Sequence, residues 1–384
     1  MPATAPPPRT RVAAAAVLLA ALGAAVVARP TLARIAPPAP IPVDGAPADT
    51  VPADTTHVRV ERVADGVYAV LRTDPPGLMF EANGAFIVGA NGVMVVDGGS
   101  NPASARAMLA RLRALTPTPV RWIVNTHWHE DHILGNPTWL AAFPGAAVLA
   151  HESAVEDERT DGVKNRQGML TNGPQFAALL RARVDSGKAL DGTPLTPEER
   201  ESHLTSIALA EHHFAQGAEF RTIAPTRTVR DSLAIDVGGR TVMLRWLGRA
   251  HTRGDLVVEL PRERVLLAGD LVDWPVPLVG TTSFPLDYAT TLRRLVALRP
   301  ARIVPGHGPV LDGDAYPRLV IRLLDTLATQ TGAAVARGET LEQARKSVDL
   351  SAFRRELAGE SRVRGLLFDQ YVAGPAVGRA YGGK

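Results

Sequence analysis

Short runs of apolar, mostly β-branched residues alternate with helical stretches along the chain from His57 onward. Such runs, bounded by glycine turns, indicate buried strands, whereas apolar residues spaced three or four apart indicate helices. Gly92–Val96 leads through a glycine turn into a helix predicted to begin near Pro102. The pattern therefore predicts an α/β fold. Strands are expected at Val58–Val63, Val67–Arg72, Gly84–Val88, Gly92–Val96, Val120–Val124, Val148–Ala150, Thr241–Leu247, Arg264–Ala268 and Ala301–Val304.

Two stretches depart from this alternation. Residues 152–220 are polar and helical, and Thr196-Pro197-Glu198-Glu199 forms a capping box with proline at the first helical position. We interpret this stretch as a helical insertion that borders the functional site. Residues 313–384 are mostly helical and carry a second capping box at Thr340–Gln343, which predicts a helical C-terminal extension.

The N-terminal residues 1–33 resemble an export signal. Arg9 and Arg11 precede an unbroken apolar run, Val12–Ala28, and small residues follow it. The run is rich in alanine and shorter than the roughly 20 residues that a spanning helix prefers, which disfavours an uncleaved membrane anchor. We therefore expect a periplasmic or secreted protein with no membrane partner after cleavage; N-terminal anchoring is the alternative. Residues 34–56, rich in proline and alanine, are expected to form a linker.

Composition narrows the function classes. The formal net charge of the 384-residue chain is +3, and its charges are interspersed rather than gathered in a basic block. This distribution argues against a nucleic-acid partner. A small-molecule substrate is the expected partner. The chain has no cysteine, which excludes disulfides, thiolate nucleophiles and sulfur-ligated metals. The oligomeric state stays open.

The six residues His127-Trp128-His129-Glu130-Asp131-His132 carry the strongest chemical signal. Three imidazoles and an aspartate this close together would repel or strand one another without a cation, so the run predicts a metal site. It follows directly after a predicted strand. Three further predicted strands lead to His251, Asp270 and His307. Because ligands gather at the carboxyl ends of strands in α/β sheets, these residues are expected to converge.

Seven candidate ligands are too many for one tetrahedral ion, so their number favours two ions roughly 3.5 to 4 Å apart. The first ion is expected to take His127, His129 and His251. The second is expected to take Asp131, His132 and His307. Asp270, with two carboxylate oxygens, can bridge both ions.

The His-x-His-x-Asp-His motif and the later ligands together resemble the metallo-β-lactamase fold superfamily over about residues 57–312. The resemblance implies an αββα sandwich with the same ligand assignment and two zinc ions, with iron or manganese as the alternative metals. It also implies attack by a zinc-bound hydroxide, since metal binding lowers the pKa of water to about 7. Asp131 would hold the hydroxide's proton and pass it to the leaving group.

Other residues receive secondary predictions. Asp97 has two open interpretations: it orients a ligand imidazole through its free nitrogen, or it caps the helix that follows Gly99-Ser100. His151 ends another strand but is not expected to bind metal, and His212 and His213 are expected on a solvated helix face. Trp274, in a proline-rich loop after Asp270, is the candidate substrate contact.

The residue at position 270 discriminates among reactions within the resembling superfamily. Some zinc β-lactamases carry cysteine or serine there, whereas an aspartate resembles thioesterases of the glyoxalase II type, lactonases and phosphodiesterases. The leading prediction is hydrolysis of an ester, thioester, lactone or amide bond of a small molecule. The alternatives are β-lactam hydrolysis, a mononuclear iron persulfide dioxygenase and a non-catalytic metal-binding protein.

Overall fold

A computed structural model describes residues 57–73 and 81–383. The predicted signal peptide (1–33) and linker (34–56) lie outside the described residues. Within the described ranges, no helix combines the length and apolar character needed to cross a membrane.

The first β-sheet contains seven strands that follow one another in chain order. The first four strands pair antiparallel, and the fourth to the seventh pair parallel. The strands are β1 (Val58–Ala64), β2 (Val67–Arg72), β3 (Gly84–Gly89), β4 (Gly92–Val96), β5 (Val120–Val124), β6 (Ala147–His151) and β7 (Arg227–Val229).

The second sheet contains six strands, again in chain order across the sheet. Its fourth and fifth strands pair parallel, and its other neighbours pair antiparallel. The strands are β8 (Ser232–Asp236), β9 (Thr241–Trp246), β10 (Leu256–Leu260), β11 (Val265–Asp273), β12 (Arg302–His307) and β13 (Leu311–Asp312).

The helices fall into three groups along the chain. The first group comprises α1 (Pro102–Leu115), α2 (Glu130–Ile133) and α3 (Asn136–Ala142). The insertion holds α4 (Ala154–Asp157), α5 (Val163–Ser186) and α6 (Pro197–Ala215), with a π-helical segment at 158–162. The later helices are α7 (Pro285–Ala297), α8 (Ala315–Ala336), α9 (Leu341–Ser347), α10 (Ser351–Ala358), α11 (Arg362–Phe368) and α12 (Gly374–Tyr381). Both predicted capping boxes are present, at Thr196 and Thr340.

The two sheets pack face to face between outer helices. In β4, Val93 and Val95 face the helices α1 and α3, whereas Met94 and Val96 face the second sheet, as the two-residue period of a strand requires. On the other side, α7, α8, α11 and α12 cover the second sheet with one continuous apolar core. The fold is therefore the αββα sandwich that the resemblance implied. The C-terminal extension adds its helices to that core, and its boundary near residue 313 stays a prediction.

The predicted ends of two strands are wrong. β11 continues to Asp273 and β12 to His307, so Asp270 and His307 lie within strands rather than past their ends. Irregular parallel pairing explains the difference, because the register shifts between Gly269 and Asp273 while the two strands stay side by side. The shift is a local bulge of the kind that re-aims side chains at an active site.

Candidate metal centre

The candidate ligands meet where the two sheets touch at one edge. β5 ends at Val124, and the backbone N–H of Leu256 in the second sheet donates to the carbonyl of Thr126 over 2.7 Å. This bond holds the His127–His132 run against the loops and strands that carry the later ligands. The structure brings all seven predicted residues into two neighbouring groups: His127, His129, His251 and Asp270; and Asp131, His132 and His307.

In the first group, one ligand atom from each residue lies within 4.8 Å of the others. His251 Nε2 lies 2.9 Å from His129 Nδ1 and 3.4 Å from Asp270 Oδ2. His127 Nε2 lies 3.8 Å from the same Asp270 oxygen. Three imidazole nitrogens therefore face one carboxylate oxygen.

The second group is equally compact. Asp131 Oδ2 lies 3.3 Å from His307 Nε2 and 3.5 Å from His132 Nε2. Asp270 Oδ1 lies 3.1 Å from His132 Nε2, and Asp270 Oδ2 lies 3.7 Å from His307 Nε2. Asp270 thus lies between the two groups and contacts both.

Several of these inward-facing atoms are buried without a hydrogen-bond partner among the described residues, because their contacts with one another lack hydrogen-bond geometry. They are Nε2 of His127, His132 and His307, and Oδ1 of Asp270. A buried polar atom without a partner costs about 1 to 3 kcal/mol, so four at one point need a compensating ligand. Nitrogen and carboxylate donors without sulfur suit zinc and other first-row divalent ions. The residues therefore fit a metal cofactor.

The pKa shifts of His129 and His127 in the first group favour neutral imidazoles. Burial and the neighbouring His251 together lower the pKa of His129 to about 3, although the nearby carboxylates of Asp131 and Asp270 oppose the shift. Burial and the neighbouring His132 hold the pKa of His127 well below its usual value. Neutral imidazole is the form that binds a metal ion.

The second group behaves differently. Burial lowers the pKa of His307, but Asp270 and Asp131 outweigh it and raise the value to about 10. The pKa of His132 is likewise raised well above its usual value, because Asp270, Asp131 and Asp97 outweigh its burial. The carboxylates of this group thus attract positive charge, which a proton or a metal ion can supply.

Asp97 orients the imidazole of His132, a candidate ligand. Its Oδ2 lies 2.8 Å from His132 Nδ1, and it accepts hydrogen bonds from the backbone N–H (2.8 Å) and hydroxyl (2.9 Å) of Thr126. The alternative capping role is excluded because Asn101 caps α1 through Ser104 N. His251 is oriented in the same manner, since its Nδ1 lies 2.8 Å from the carbonyl oxygen of Leu278.

Comparison with known proteins decides the family. The family model of the metallo-beta-lactamase superfamily matches residues 80–307, which is more than half of the chain. The chain belongs to the metallo-beta-lactamase superfamily. The matched range contains all seven candidate ligands, and the C-terminal helices from α8 onward lie beyond it.

Individual superfamily relatives are more distant. A linear primary-alkylsulfatase from Pseudomonas is 28% identical over 238 residues, covering 60% of this chain and 42% of the relative. A beta-lactamase-like protein 2 homolog from Caenorhabditis elegans is 24% identical, covering 67% of this chain and 66% of the relative. The chain thus spans less than two thirds of each of these relatives. A solved metallo-beta-lactamase from Erythrobacter litoralis is 17% identical with a TM-score of 0.47, covering 70% of this chain and 96% of that structure.

Asp273 is a site residue that the sequence prediction missed. It is fully buried and forms a third compact group with Asp270 and His307. Burial and the negative charge of Asp270 raise the pKa of Asp273 well above its usual value. The predicted strand ended before this residue, so only the repeated aspartate in Asp270-Leu271-Val272-Asp273 could have indicated it.

Two cavities adjoin the centre on the side where His129 and Asp131 are partly exposed. The smaller, about 180 Å³, is lined by both of these candidate ligands together with Trp128, Met169 and His213. The larger, about 450 Å³, shares the Trp128 wall. The insertion therefore borders the site, as predicted.

The remaining predictions concern three histidines and one tryptophan. His213 is buried, so the prediction of a solvated face is wrong for this residue and correct only for the exposed His212. His213 is buried because α6 turns it toward Phe220 and the smaller cavity. His151 lies outside the ligand groups and contacts Ser153. Trp274 packs beneath the Arg364 guanidinium, 4.6 Å from its ring centre, and its substrate role stays a prediction.

Proposed function

We propose that the protein is a metal-dependent hydrolase that cleaves an ester, thioester, lactone or amide bond of a small molecule. The observation that carries the proposal is the pair of ligand groups that share Asp270 and turn buried, unpartnered atoms toward one another. Such a double group fits two ions, which together can stabilise both the attacking and the leaving oxygen.

The proposed assignment gives each group one ion. His127, His129 and His251 would hold the first ion, and Asp270 would bridge to the second. Asp131, His132 and His307 would complete the second site. Zinc is the proposed metal because three nitrogen donors and a shared carboxylate suit its coordination, with iron or manganese as alternatives.

When bound, the ions supply a nucleophile from water at neutral pH and polarise the bond under attack. The protein's own part begins with Asp131, whose side chain is 21% exposed and lines the smaller cavity. Its carboxylate can accept the proton of the attacking water and donate it to the leaving group. Asp97 and the Leu278 carbonyl keep the Nε2 atoms of His132 and His251 turned toward Asp270.

The relatives support hydrolysis without fixing the bond. Their names include a linear primary-alkylsulfatase, a thioesterase of Emericella nidulans and a hydroxyacylglutathione hydrolase of Synechococcus. The last is 48% identical but over only 64 residues. The substrate panel should therefore contain alkyl sulfates and thioesters beside carboxylic esters, lactones and amides.

The test is hydrolysis of that panel by the purified protein before and after chelation. We expect activity toward at least one class, its loss on chelation and its return with zinc. His127→Ala should lose metal and activity together, whereas Asp131→Asn should keep some metal and lose most turnover. His212→Ala, at the exposed neighbour of His213, is the control. Full activity in Asp131→Asn, or activity that survives complete metal removal, would contradict the proposal.

The same assays separate the alternatives. A chromogenic β-lactam in the panel tests β-lactam hydrolysis, for which Asp270 is less favourable. A mononuclear iron dioxygenase uses two histidines and one aspartate, which leaves much of this cluster unused. One iron per chain with oxygen consumption on a persulfide would replace the hydrolase proposal by that alternative.

Export is a separate proposal that rests on the N-terminal sequence. The basic residues before an apolar run at Val12–Ala28 support delivery to the periplasm or the medium. Cell fractionation and N-terminal sequencing of the mature protein test it. A protein retained at its full length in the cytoplasm would contradict it.

A further inference from the structure

The larger cavity beside the centre is built from three separate parts of the chain. Asp161 and Lys164 come from the insertion, Thr282 and Phe284 from the loop before α7, and Arg379 from α12. The volume of about 450 Å³ is enough for a small organic molecule. This cavity therefore joins the superfamily core to a helix that lies beyond the matched range 80–307.

The cavity opens beside the first ligand group. Thr282 Oγ1 lies 3.3 Å from His129 Nε2 and 3.3 Å from the carbonyl oxygen of His251. Thr252, which follows His251, also lines the wall. A substrate whose reacting bond lies at the ligand cluster can therefore extend past Thr282 into this cavity.

Three cationic side chains line the cavity, and they differ in how fully they are neutralised. Arg253 is bound by Asp157 through two hydrogen bonds and also contacts Glu156. Lys164 lies 3.6 Å from Asp161, and both side chains are largely exposed. With Asp157 and Asp161 as its two carboxylates, the lining carries one more positive than negative side chain.

Arg379 forms no ion pair within the described residues and keeps unused hydrogen-bonding capacity. Its Nε donates to the carbonyl oxygen of Ser283 over 2.7 Å, and its guanidinium lies 5.2 Å from the centre of the Phe284 ring. The terminal Nη groups make no hydrogen bond to any residue in the described part of the chain. The backbone contact and the ring restrain the guanidinium of Arg379, which lines the cavity.

We propose that this cavity binds a second, non-reacting oxyanion of the substrate and that Arg379 recognises it. The inference rests on the proposed function and narrows it to small anionic substrates. The oxyanion used to test it is a carboxylate. A guanidinium matches a carboxylate with two parallel hydrogen bonds, and it presents five donors where an ammonium presents a compact point charge. The C-terminal helix would thereby select substrates for the metal centre.

Direct binding tests the proposal independently of turnover. The probes are 4-phenylbutyrate and its neutral amide, 4-phenylbutanamide. Each is titrated, in a calorimeter, into protein that retains the metal with which it was purified. Arg379→Met keeps an unbranched side chain without the charge. Arg379→Lys restores the charge without the planar guanidinium that can donate two parallel hydrogen bonds. The exposed Arg337, which pairs with Glu339 outside the cavity, supplies the matched control Arg337→Met.

We expect the wild type to bind 4-phenylbutyrate more tightly than 4-phenylbutanamide. Arg379→Met should weaken butyrate binding by about tenfold or more, with a much smaller effect on the amide, and Arg379→Lys should recover part of the loss. A carboxylate bound only to a metal ion would be insensitive to Arg379. Equal weakening of both probes would show a purely structural role. Unchanged butyrate affinity in Arg379→Met, or no preference in the wild type, would likewise overturn the proposal.

A pair of substrates separates this inference from the proposed function. 4-Nitrophenyl hemisuccinate and its methyl ester share the scissile bond and differ in the distant carboxylate. Selective loss of kcat/KM for the hemisuccinate in Arg379→Met supports both proposals. Hydrolysis of both esters with an unchanged ratio in the variant leaves the hydrolase standing and refutes the oxyanion site. If the protein binds 4-phenylbutyrate more tightly than its amide but hydrolyses no member of the panel, the oxyanion site stands and the hydrolase proposal is refuted.

Discussion

Replacing Asp97 tests the inference that a buried carboxylate aligns the second ligand group. Asp97 is 3% exposed and accepts from Thr126 N through Oδ1, while its Oδ2 faces both the Thr126 hydroxyl and His132 Nδ1. Asp97→Asn keeps one oxygen that can accept from the backbone N–H of Thr126. Its NH₂ group, however, would face the Thr126 hydroxyl and His132 Nδ1, which are both donors to Asp97. The variant therefore removes the alignment of His132 with little change in volume.

The expected magnitude has two parts. Loss of an outer hydrogen-bond partner of a ligand histidine lowers metal affinity about 10- to 100-fold, which corresponds to about 1.4 to 2.8 kcal/mol. Two hydrogen bonds to a charged, buried acceptor contribute about 1.5 to 3 kcal/mol each, so the free energy of unfolding should fall by several kcal/mol at most. Affinity at the site of His132 should fall more than affinity at the site of His127.

The assay is competition for zinc with a chromophoric chelator, read beside thermal unfolding. Glu199→Gln is the matched control, because Glu199 is also a buried carboxylate in a local network, with Thr196 and Arg362, away from the ligands. The control should lose stability and keep both metal affinities. Wild-type affinity for both ions in Asp97→Asn would refute the reasoning, whatever its stability.

Three further predictions follow from close contacts and buried groups. In Gly306→Ala the new Cβ would lie 1.9 Å from Asp270 Oδ1, so displacement of the bridging carboxylate should cut metal content and activity, measured by elemental analysis and kinetics; normal content would contradict this. Burial lowers the pKa of His213 from 6.5 to about 4. As the pH falls, the imidazole of the unfolded chain is therefore protonated before that of the folded chain. Stability should therefore fall as pH drops from about 6.5 to 4, on the order of 3 kcal/mol, and the fall should shrink in His213→Gln but persist in His212→Gln, as denaturant titrations would show. Chelation should lower the melting temperature of the wild type, because the unpartnered ligand atoms then stay buried without an ion; an unchanged midpoint would argue against bound metal.

The sequence predicted those parts of the fold whose signals are local. Val67–Arg72, Gly92–Val96 and Val120–Val124 have the predicted bounds, since each is an apolar run closed by a turn or by polar residues. The capping boxes at Thr196 and Thr340 could also be predicted, because the N-cap threonine and its Glu or Gln partner lie only three residues apart in the sequence.

The missed features depend on contacts between distant segments. Asp273 joins the site because β11 stays paired with β12 beyond Gly269 through a register shift, which no local pattern shows. His213 is buried by Phe220 and the cavity wall although its neighbour His212 is exposed. Arg379 reaches the larger cavity only because α12 packs into the same core as α8.

The metal content of protein purified without added metal tests the central claim most directly. Elemental analysis of the wild type should give about two zinc ions per chain, because Asp270 belongs to the first ligand group and also contacts His132 and His307 of the second. Asp270→Ala should fall below that ratio and lose activity with it. A single iron ion per chain, or a metal-free protein that retains full hydrolytic activity, would contradict a two-metal hydrolytic centre.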